Sequence, residues 1–580
     1  MKVSDFIVNY LSTKTDKVFG GQGGSIIHIA DSIDRSKKIK FIPGQNEQAS
    51  SIAADAYHRV SGKLGVCIAT SGPGVLNLLQ GMACSYFDSI PSLYISGAPI
   101  TKQIRKNKKI RQIGFQEMEV VDLVKPLTKY AVLIKKPEDI KYELDKALYI
   151  AHSGRKGPVL LDIPDDIQRA DINTKKLKKY KSKKRKIFNN SKNKTKIILK
   201  ELEKSERPLL VIGNGVKLSM AENLIKKIVK KNQIPFVTTW AAVDMFKHNH
   251  KLNAGTFGVA ATRYGNFAIQ NSDLLVFLGA RLSPQIVGSN IDIFSPKSKK
   301  IIVDIDKYEF KNHRLKKNII KINSNVHDLI KELSRNKITL KKNKIFEWIN
   351  KIKSYKNRFP VLPDKRILKK NQFLDPYHFF NSLSKTTKKN DILIPDASAN
   401  LIWFMQSYKN NFLGQKIFTA LNHSPMGYSM PASVGAYFGK QTSRVLAFIG
   451  DGSMQMNIQE LATIMHHKLP IKIFIFNNGG YLTIRQTQEL GFKNRIMGSD
   501  SNSGLSFPNY KKIAQAHKFK YCRFSNNSEM KSKLNTVLKS KETVICELLM
   551  DNSQEQMPKA INRRDESGKS IPTTFEDMYP

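Results

Sequence analysis

The 580 residues suffice for three or so domains, each with its own core, and the longest apolar runs are only strand-length, which excludes a membrane span. Lysine and arginine number 96 against 48 aspartates and glutamates, and a net charge of +48 raises the question of a nucleic-acid partner. The lysines gather in suspected linkers and on polar helix faces, with no basic stripe interleaved with aromatics and no zinc-finger spacing, so no nucleic acid is expected.

Residues Met1 to Lys17 place Phe6, Ile7, Tyr10 and Leu11 on one helix face, where a secretory leader needs a basic start and an apolar block. Cys67, Cys84, Cys522 and Cys546 are scattered without CxxC spacing and read as core residues in a reducing cytosol. A cytoplasmic α/β protein is expected.

The first region, residues 1–172, alternates strand and helix. Val18-Phe19 ends a strand at the run Gly20-Gly21-Gln22-Gly23-Gly24, and a helix follows from Ser25. Ile26 stands where a dinucleotide fingerprint needs glycine, so that reading is set aside. Lys40 to Ile42, Leu64 to Ala69, Leu93 to Ser96 and Val159 to Ile163 are further strands, and Glu47 opens a helix between the first two. Ala69, two residues before Ser71, rules out a nucleophile elbow. Residues 173–196 are a Lys/Asn/Ser-rich linker. A central Rossmann-like domain, 197–330, has strands ending at Ile212, Thr239, Gly279 and Asp304, and Asp304 or Asp306 sits where an acid could meet a ribose. FAD binding there stays open. Residues 331–371 read as a second linker, helical around Phe346 to Ile352. Residues 372–550 form the third domain, and 551–580 a tail that could fold over the site.

Arg444 to Gly450 is a buried strand closed by glycine, Asp451-Gly452-Ser453 follows, and Ile458, Leu461, Ala462 and Met465 recur at helical spacing. Ile471 to Phe476 is the next strand, closed by Asn477-Asn478. In a βαβ unit both strands end at one edge, which brings Asp451 beside Asn478. Gly450 and Gly452 let backbone N–H groups approach an anion, and a carboxylate plus an amide oxygen suits Mg²⁺ held on a diphosphate. Alone, Gly-Asp-Gly is more often a turn with Asp451 as N-cap. With 24 residues (453–476) before Asn-Asn, the pattern resembles the thiamine diphosphate (ThDP) signature.

Gln45 to Ala49, Thr70 to Gly74, Phe87 to Pro91, Phe115-Gln116-Glu117, Ser153-Gly154-Arg155 and Gly450 to Leu461 together resemble the catalytic (large) subunit of acetolactate synthase. The resemblance implies three doubly wound parallel-sheet α/β domains: pyrimidine-binding, central and diphosphate-binding. It implies that Glu47 is the carboxyl beside the aminopyrimidine, although by itself Glu47 is equally a first-turn glutamate complementing a helix dipole. It assigns Asp451, Asn478 and the Gly480 carbonyl to Mg²⁺, Gly450, Gly452 and Ser453 to the diphosphate, and Met426 to the wedge that bends the cofactor. The Ser424 carbonyl accepts from the 4′-amino group, and Gln116 lines the reaction pocket.

The implied reaction is loss of CO₂ from a 2-oxo acid, by default pyruvate, and joining of the remaining fragment to a second carbonyl. The implied assembly is a homodimer or tetramer with active sites shared between subunits, with room for a small regulatory subunit. Thr487 stands where the family has a tryptophan, and Pro164-Asp165-Asp166 where it has Pro-Lys-Asp. Ala399-Asn400 replaces His-Gln, and Ser424-Pro425 replaces Gly-Thr. These departures fall in the acceptor site, so a second reading keeps the cofactor and changes the acceptor, with Arg485 or Arg111 receiving it.

Overall fold

The computed structural model describes residues 1–182, 191–288, 290–311, 317–362, 373–560, 562–564, 566–567 and 570–578. Residues 183–190 and 363–371 of the two expected linkers lie outside them.

Three six-stranded parallel sheets carry the chain. In the first, β1 (Lys17–Gly20), β2 (Lys40–Pro43), β3 (Gly65–Ala69), β4 (Ser92–Ala98), β5 (Tyr130–Leu133) and β6 (Val159–Pro164) lie in the order β2-β1-β3-β4-β6-β5. The second contains β7 (Pro208–Ile212), β8 (Phe236–Thr238), β9 (Asn253–Thr256), β10 (Leu274–Leu278), β11 (Lys299–Asp304) and β12 (Ile319–Asn323), ordered β12-β11-β10-β7-β8-β9. The third contains β13 (Ile392–Pro395), β14 (Lys416–Ile417), β15 (Val445–Gly450), β16 (Lys472–Asn477), β17 (Lys520–Phe524) and β18 (Val544–Leu549), ordered β14-β13-β15-β16-β18-β17. The inner strands β3, β4, β6, β7 and β10 are buried along their whole length. Helices covering both faces make such burial possible, and they explain why the strands read as unbroken Val/Ile/Leu runs. No helix among the described residues is long and apolar enough to cross a membrane.

Three elements add to the expectations. The segment 331–371 contains the 17-residue helix Lys342–Arg358, whose Trp348, Ile352 and Tyr355 are buried against the central domain, with the Trp348 indole donating to the Pro208 carbonyl at 3.2 Å. Its exposed Lys342, Lys344, Lys351 and Lys353 disguise the apolar stripe. The helix after Gly450 begins at Asp451 itself and breaks into Asp451–Met456 and Glu460–His466. Asn457 interrupts it, because its side-chain amide donates to the Gly427 carbonyl at 3.0 Å instead of continuing the helical surface. The segment after β18 runs along helix Leu482–Gly491, where Gln556 donates to the Thr483 hydroxyl at 3.0 Å, and then docks on the central domain, where Phe575 is buried.

The first and third domains are locked by a buried ionic cluster. Arg59, on helix Glu47–Ser61, pairs with Asp55 at 2.7 Å and Asp88 at 2.9 Å and donates to the Thr419 carbonyl. The Tyr428 hydroxyl donates to Asp55 at 2.6 Å, and Asp88 accepts the backbone N–H groups of Leu421 and Asn422. Removing the one cation leaves two buried carboxylates without their counter-charge. Arg59→Met should therefore cost roughly 3–5 kcal/mol, seen as a lower denaturant midpoint, whereas Lys344→Ala, which breaks an exposed pair with Glu347, should leave the midpoint unchanged.

Candidate active site

In the β15–β16 ladder Gly450 lies opposite Phe476, so Asp451 and Asn477-Asn478 leave the third sheet at the same edge. Asp451 is buried. Its Oδ1 accepts the Gly452 N–H at 2.7 Å, and its Oδ2 accepts those of Asn478 at 3.0 Å and Gly480 at 3.1 Å. Burial pushes its pKa up to about 6, against the pull of these N–H donors. A carboxylate offers roughly four lone-pair directions, and these bonds take three.

Asn478 is 5% exposed and its Oδ1 has no hydrogen-bond partner among the described residues. An orphaned amide oxygen at such a site is costly unless something accepts its lone pair. Gly480 has φ +146°, and a Cβ there would lie 2.1 Å from the Ser499 carbonyl oxygen, so only glycine allows this turn. One carboxylate, one unpaired amide oxygen and the adjacent backbone form a hard-oxygen set that fits Mg²⁺. No cluster of three His, Cys, Asp or Glu side chains suited to a metal occurs among the described residues.

Met426 lies on a neighbouring turn, between Ser424 at φ +52° and Gly427 at φ +84°. Asp396, at the end of β13, fixes this turn by accepting the N–H groups of Gly427 at 2.9 Å and Ser429 at 3.1 Å. Burial pushes the Asp396 pKa up to about 6. Asn457 holds the Gly427 carbonyl from the other side, and Ser453 is buried nearby on helix Asp451–Met456. Asp396 and Asn457 received no role from the sequence. The signal for Asp396 was available, since an apolar strand closed by an aspartate has the same form as β15 followed by Asp451.

Glu47 is half-buried at the start of its helix, with Asn46 as N-cap, and its Oε2 accepts from the Asn77 side chain at 2.9 Å. A Cβ at Gly21 would sit 2.6 Å from Glu47 Oε1, so the glycine run after β1 clears space for this carboxyl. Gln116, at φ +57°, lies on a loop held by the buried Glu117, which accepts the N–H groups of Arg105 and Ile113 at 2.7 Å and Gly114 at 3.2 Å. Burial raises the Glu117 pKa, and these donors outweigh it, leaving the group below the usual carboxylate range.

Among the described residues no hydrogen bond links Glu47 to Asp451, Asn478 or Met426. The first-domain edge exposes Ile27, Leu76 and Phe115, the last at 83%, and the third-domain edge exposes Ile484, Leu490 and Met497.

Arg485 does not fit the expectation of a free anion receptor. It is buried, and its guanidinium donates to the carbonyls of Asn478 at 3.3 Å, Gly479 at 3.5 Å and Asn552 at 2.6 Å, which braces the Asn-Asn turn. Arg111 is exposed. Asp165 pairs with His28 at 3.3 Å and Arg169 at 3.6 Å, and the Thr487 hydroxyl is turned back to the Thr483 carbonyl of its own helix. A cavity of about 1340 Å³ opens where the three domains meet, bordered by Arg155 of the first, Gly215, Trp240, Arg281 and Asp304 of the central and Leu421 of the third. Asp304 accepts the Asp306 N–H, burial pushes its pKa up to about 6, and Asp306 pairs with Arg155 at 3.6 Å.

The profile of the thiamine pyrophosphate enzyme N-terminal TPP binding domain matches residues 1–123, that of the central domain 195–333, and that of the C-terminal TPP binding domain 396–548. The acetolactate synthase large subunit of Cyanidium caldarium is 30% identical over 561 residues, 94% of this chain and 92% of that one. The probable acetolactate synthase large subunit of Methanocaldococcus jannaschii is 31% identical over 566 residues, covering 96% and 93%. Isozyme 1 of Escherichia coli is 29% identical over 558 residues, covering 96% and 95%. One match falls on each of the three sheets, although the first ends before β5 and β6 and the third begins just after β13, and both cofactor-binding profiles cover the edges that carry Glu47 and Asp451. The chain thus belongs to the thiamine diphosphate-dependent enzymes that work with Mg²⁺, as a relative of the acetolactate synthase large subunits.

Proposed function

We propose that the protein decarboxylates a 2-oxo acid, pyruvate in the first instance, and joins the remaining fragment to a second carbonyl, as an acetolactate synthase does. The observation that carries this reading is the buried, unpaired Asn478 Oδ1 beside Asp451 in a chain of this family. Asp451, Asn478 and the Gly480 carbonyl hold Mg²⁺, and Gly450, Gly452 and Ser453 face the diphosphate. Met426, fixed by Asp396 and Asn457, shapes the floor under the cofactor rings, and the Ser424 carbonyl accepts from the aminopyrimidine.

Bound thiamine diphosphate supplies the electron sink that lets CO₂ leave. Glu47 holds and moves the proton at the pyrimidine N1′, and Asn77 orients its carboxyl. Gln116, on the loop anchored by Glu117, borders the reacting carbonyl. Glu47 completes the site of a second copy of this chain; the exposed Leu76 and Phe115 beside it, and Leu490 and Met497 on the opposite edge, support an interface there. The cavity between the three domains, larger than an ordinary ligand pocket of roughly 300–1,000 Å³, supports a bulky ligand such as FAD, which a flavin absorbance spectrum of the purified protein would test.

A second reading keeps the site and changes the acceptor. It is favoured by Asp165, whose charge is shared with His28 and Arg169, and by Thr487 in place of an aromatic wall.

Glu47→Gln should bind ThDP, read by calorimetry, and lose about 10²–10⁴-fold in turnover, the range of a lost general acid–base; unchanged turnover overturns its role. Asn478→Ala should weaken Mg²⁺-dependent ThDP binding by at least about 10–100-fold, the cost of losing even an outer-shell partner, in a Mg²⁺ titration of chelator-stripped protein. Product analysis with pyruvate alone and with added 2-oxobutyrate should yield acetohydroxy acids; pyruvate consumption without them gives the second reading its support.

A further inference from the structure

The loop that delivers Glu47 is held from another domain. Glu460 Oε1 accepts the Gln45 N–H at 2.9 Å, a bond between residues 415 apart in sequence, and Glu460 Oε2 accepts the Thr463 hydroxyl at 2.7 Å. Glu460 is 2% exposed, and burial pushes its pKa up, partly offset by the bonds from Thr463 and from the Gln45 and Asn46 backbone.

Burying a carboxylate is expensive, and an apolar side chain of the same volume would fill this place without that cost. What an apolar residue cannot do is hold a backbone N–H two residues before Glu47 in one position. Asn46 then caps the helix through the Gln48 N–H at 2.7 Å, so the junction is fixed on both sides of Glu47. Glu460 opens the helix that follows Asp451–Met456, the one whose first residue is Asp451. The third domain therefore grips the Glu47 junction with the segment that also forms its own metal–diphosphate edge.

We propose that Glu460 is a positioning residue for Glu47: through Gln45 it sets the carboxyl that serves the pyrimidine half of one active site from the segment that forms the diphosphate half of another. This rests on the reading of Glu47 given above.

The test compares Glu460→Gln, which keeps the acceptor oxygen, with Glu460→Asp, which keeps the charge and withdraws it by one methylene, in the full-length protein. In the apoprotein, amide hydrogen exchange over residues 45–48 should match the wild type in Glu460→Gln and rise in Glu460→Asp. In the holoenzyme at saturating ThDP and Mg²⁺, exchange of the cofactor C2 proton should stay within about threefold of wild type in Glu460→Gln and slow by roughly tenfold or more in Glu460→Asp, as expected for misplacement of a reacting group. Calorimetric ThDP affinity should change far less than the exchange rate. Thr463→Val, which releases Oε2 with little change of shape, is the second variant and should raise 45–48 amide exchange in the same direction. Equal behaviour of the Gln and Asp variants overturns the proposal, as does loss of ThDP affinity in step with the exchange rate. A Glu47→Gln control that exchanges C2 at the wild-type rate removes the role of Glu47 itself. A slowed control beside an unaffected Glu460→Asp overturns only the role of Glu460.

Discussion

The Asp451 carboxylate is the point on which the third domain turns. It takes N–H groups from its own helix start and from the loop after β16, so two strand ends separated by a helical segment become one rigid edge. That costs the desolvation of a carboxylate and is offset by three charge-assisted hydrogen bonds. With the backbone N–H groups of Asn478 and Gly480 committed to Asp451, and the Asn478 and Gly479 carbonyls braced by Arg485, the Asn478 side chain has little freedom to turn away. The unpaired Oδ1 is a consequence of that rigidity. Preorganised donors of this kind hold a metal without paying for its ligands to be ordered at the moment of binding.

The same device recurs around the site. Asp396 fixes the Met426 turn, Glu117 the Gln116 loop and Glu460 the Glu47 junction, each as a buried carboxylate receiving backbone N–H groups from a loop. Loops are the natural carriers of reactive side chains, and they are also the least constrained parts of a fold. An acid placed beneath each loop substitutes for the ladder bonds that a strand or helix would have provided.

The architecture was legible because parallel strands buried on both faces leave continuous apolar runs. β3, β7, β10, β15 and β16 announced themselves in this way, and the fixed geometry of a βαβ unit carried Asp451 to Asn478 without further information. The half-buried β5 and the outer β12, with Lys321 exposed, have weaker patterns and were not singled out. Helix Lys342–Arg358 was legible as a helix around Phe346 to Ile352 but not as part of the central domain's core, because its lysines outnumber the few residues that anchor it. The break at Asn457, the clamp by Glu460 and the bracing role of Arg485 depend on partners 30, 415 and up to 67 residues away, and such pairings have no local signature. The glycines after β1 show the same limit: rejecting a dinucleotide loop was within reach of the sequence, but the space they make for Glu47 was not.

The segment after β18 has a consequence for how the molecule is made. Trp403 donates to the Glu555 carbonyl, Gln406 to those of Ala260 and Pro558, and Phe575 meets Phe294 in the central domain. During synthesis the hollow beside Phe294 in the central domain is made well before Phe575, and the third-domain partners Trp403 and Gln406 are met by residues that directly follow their own domain. Residues 555–575 thus act as a keystone that ties the second and third domains together only after both have been made.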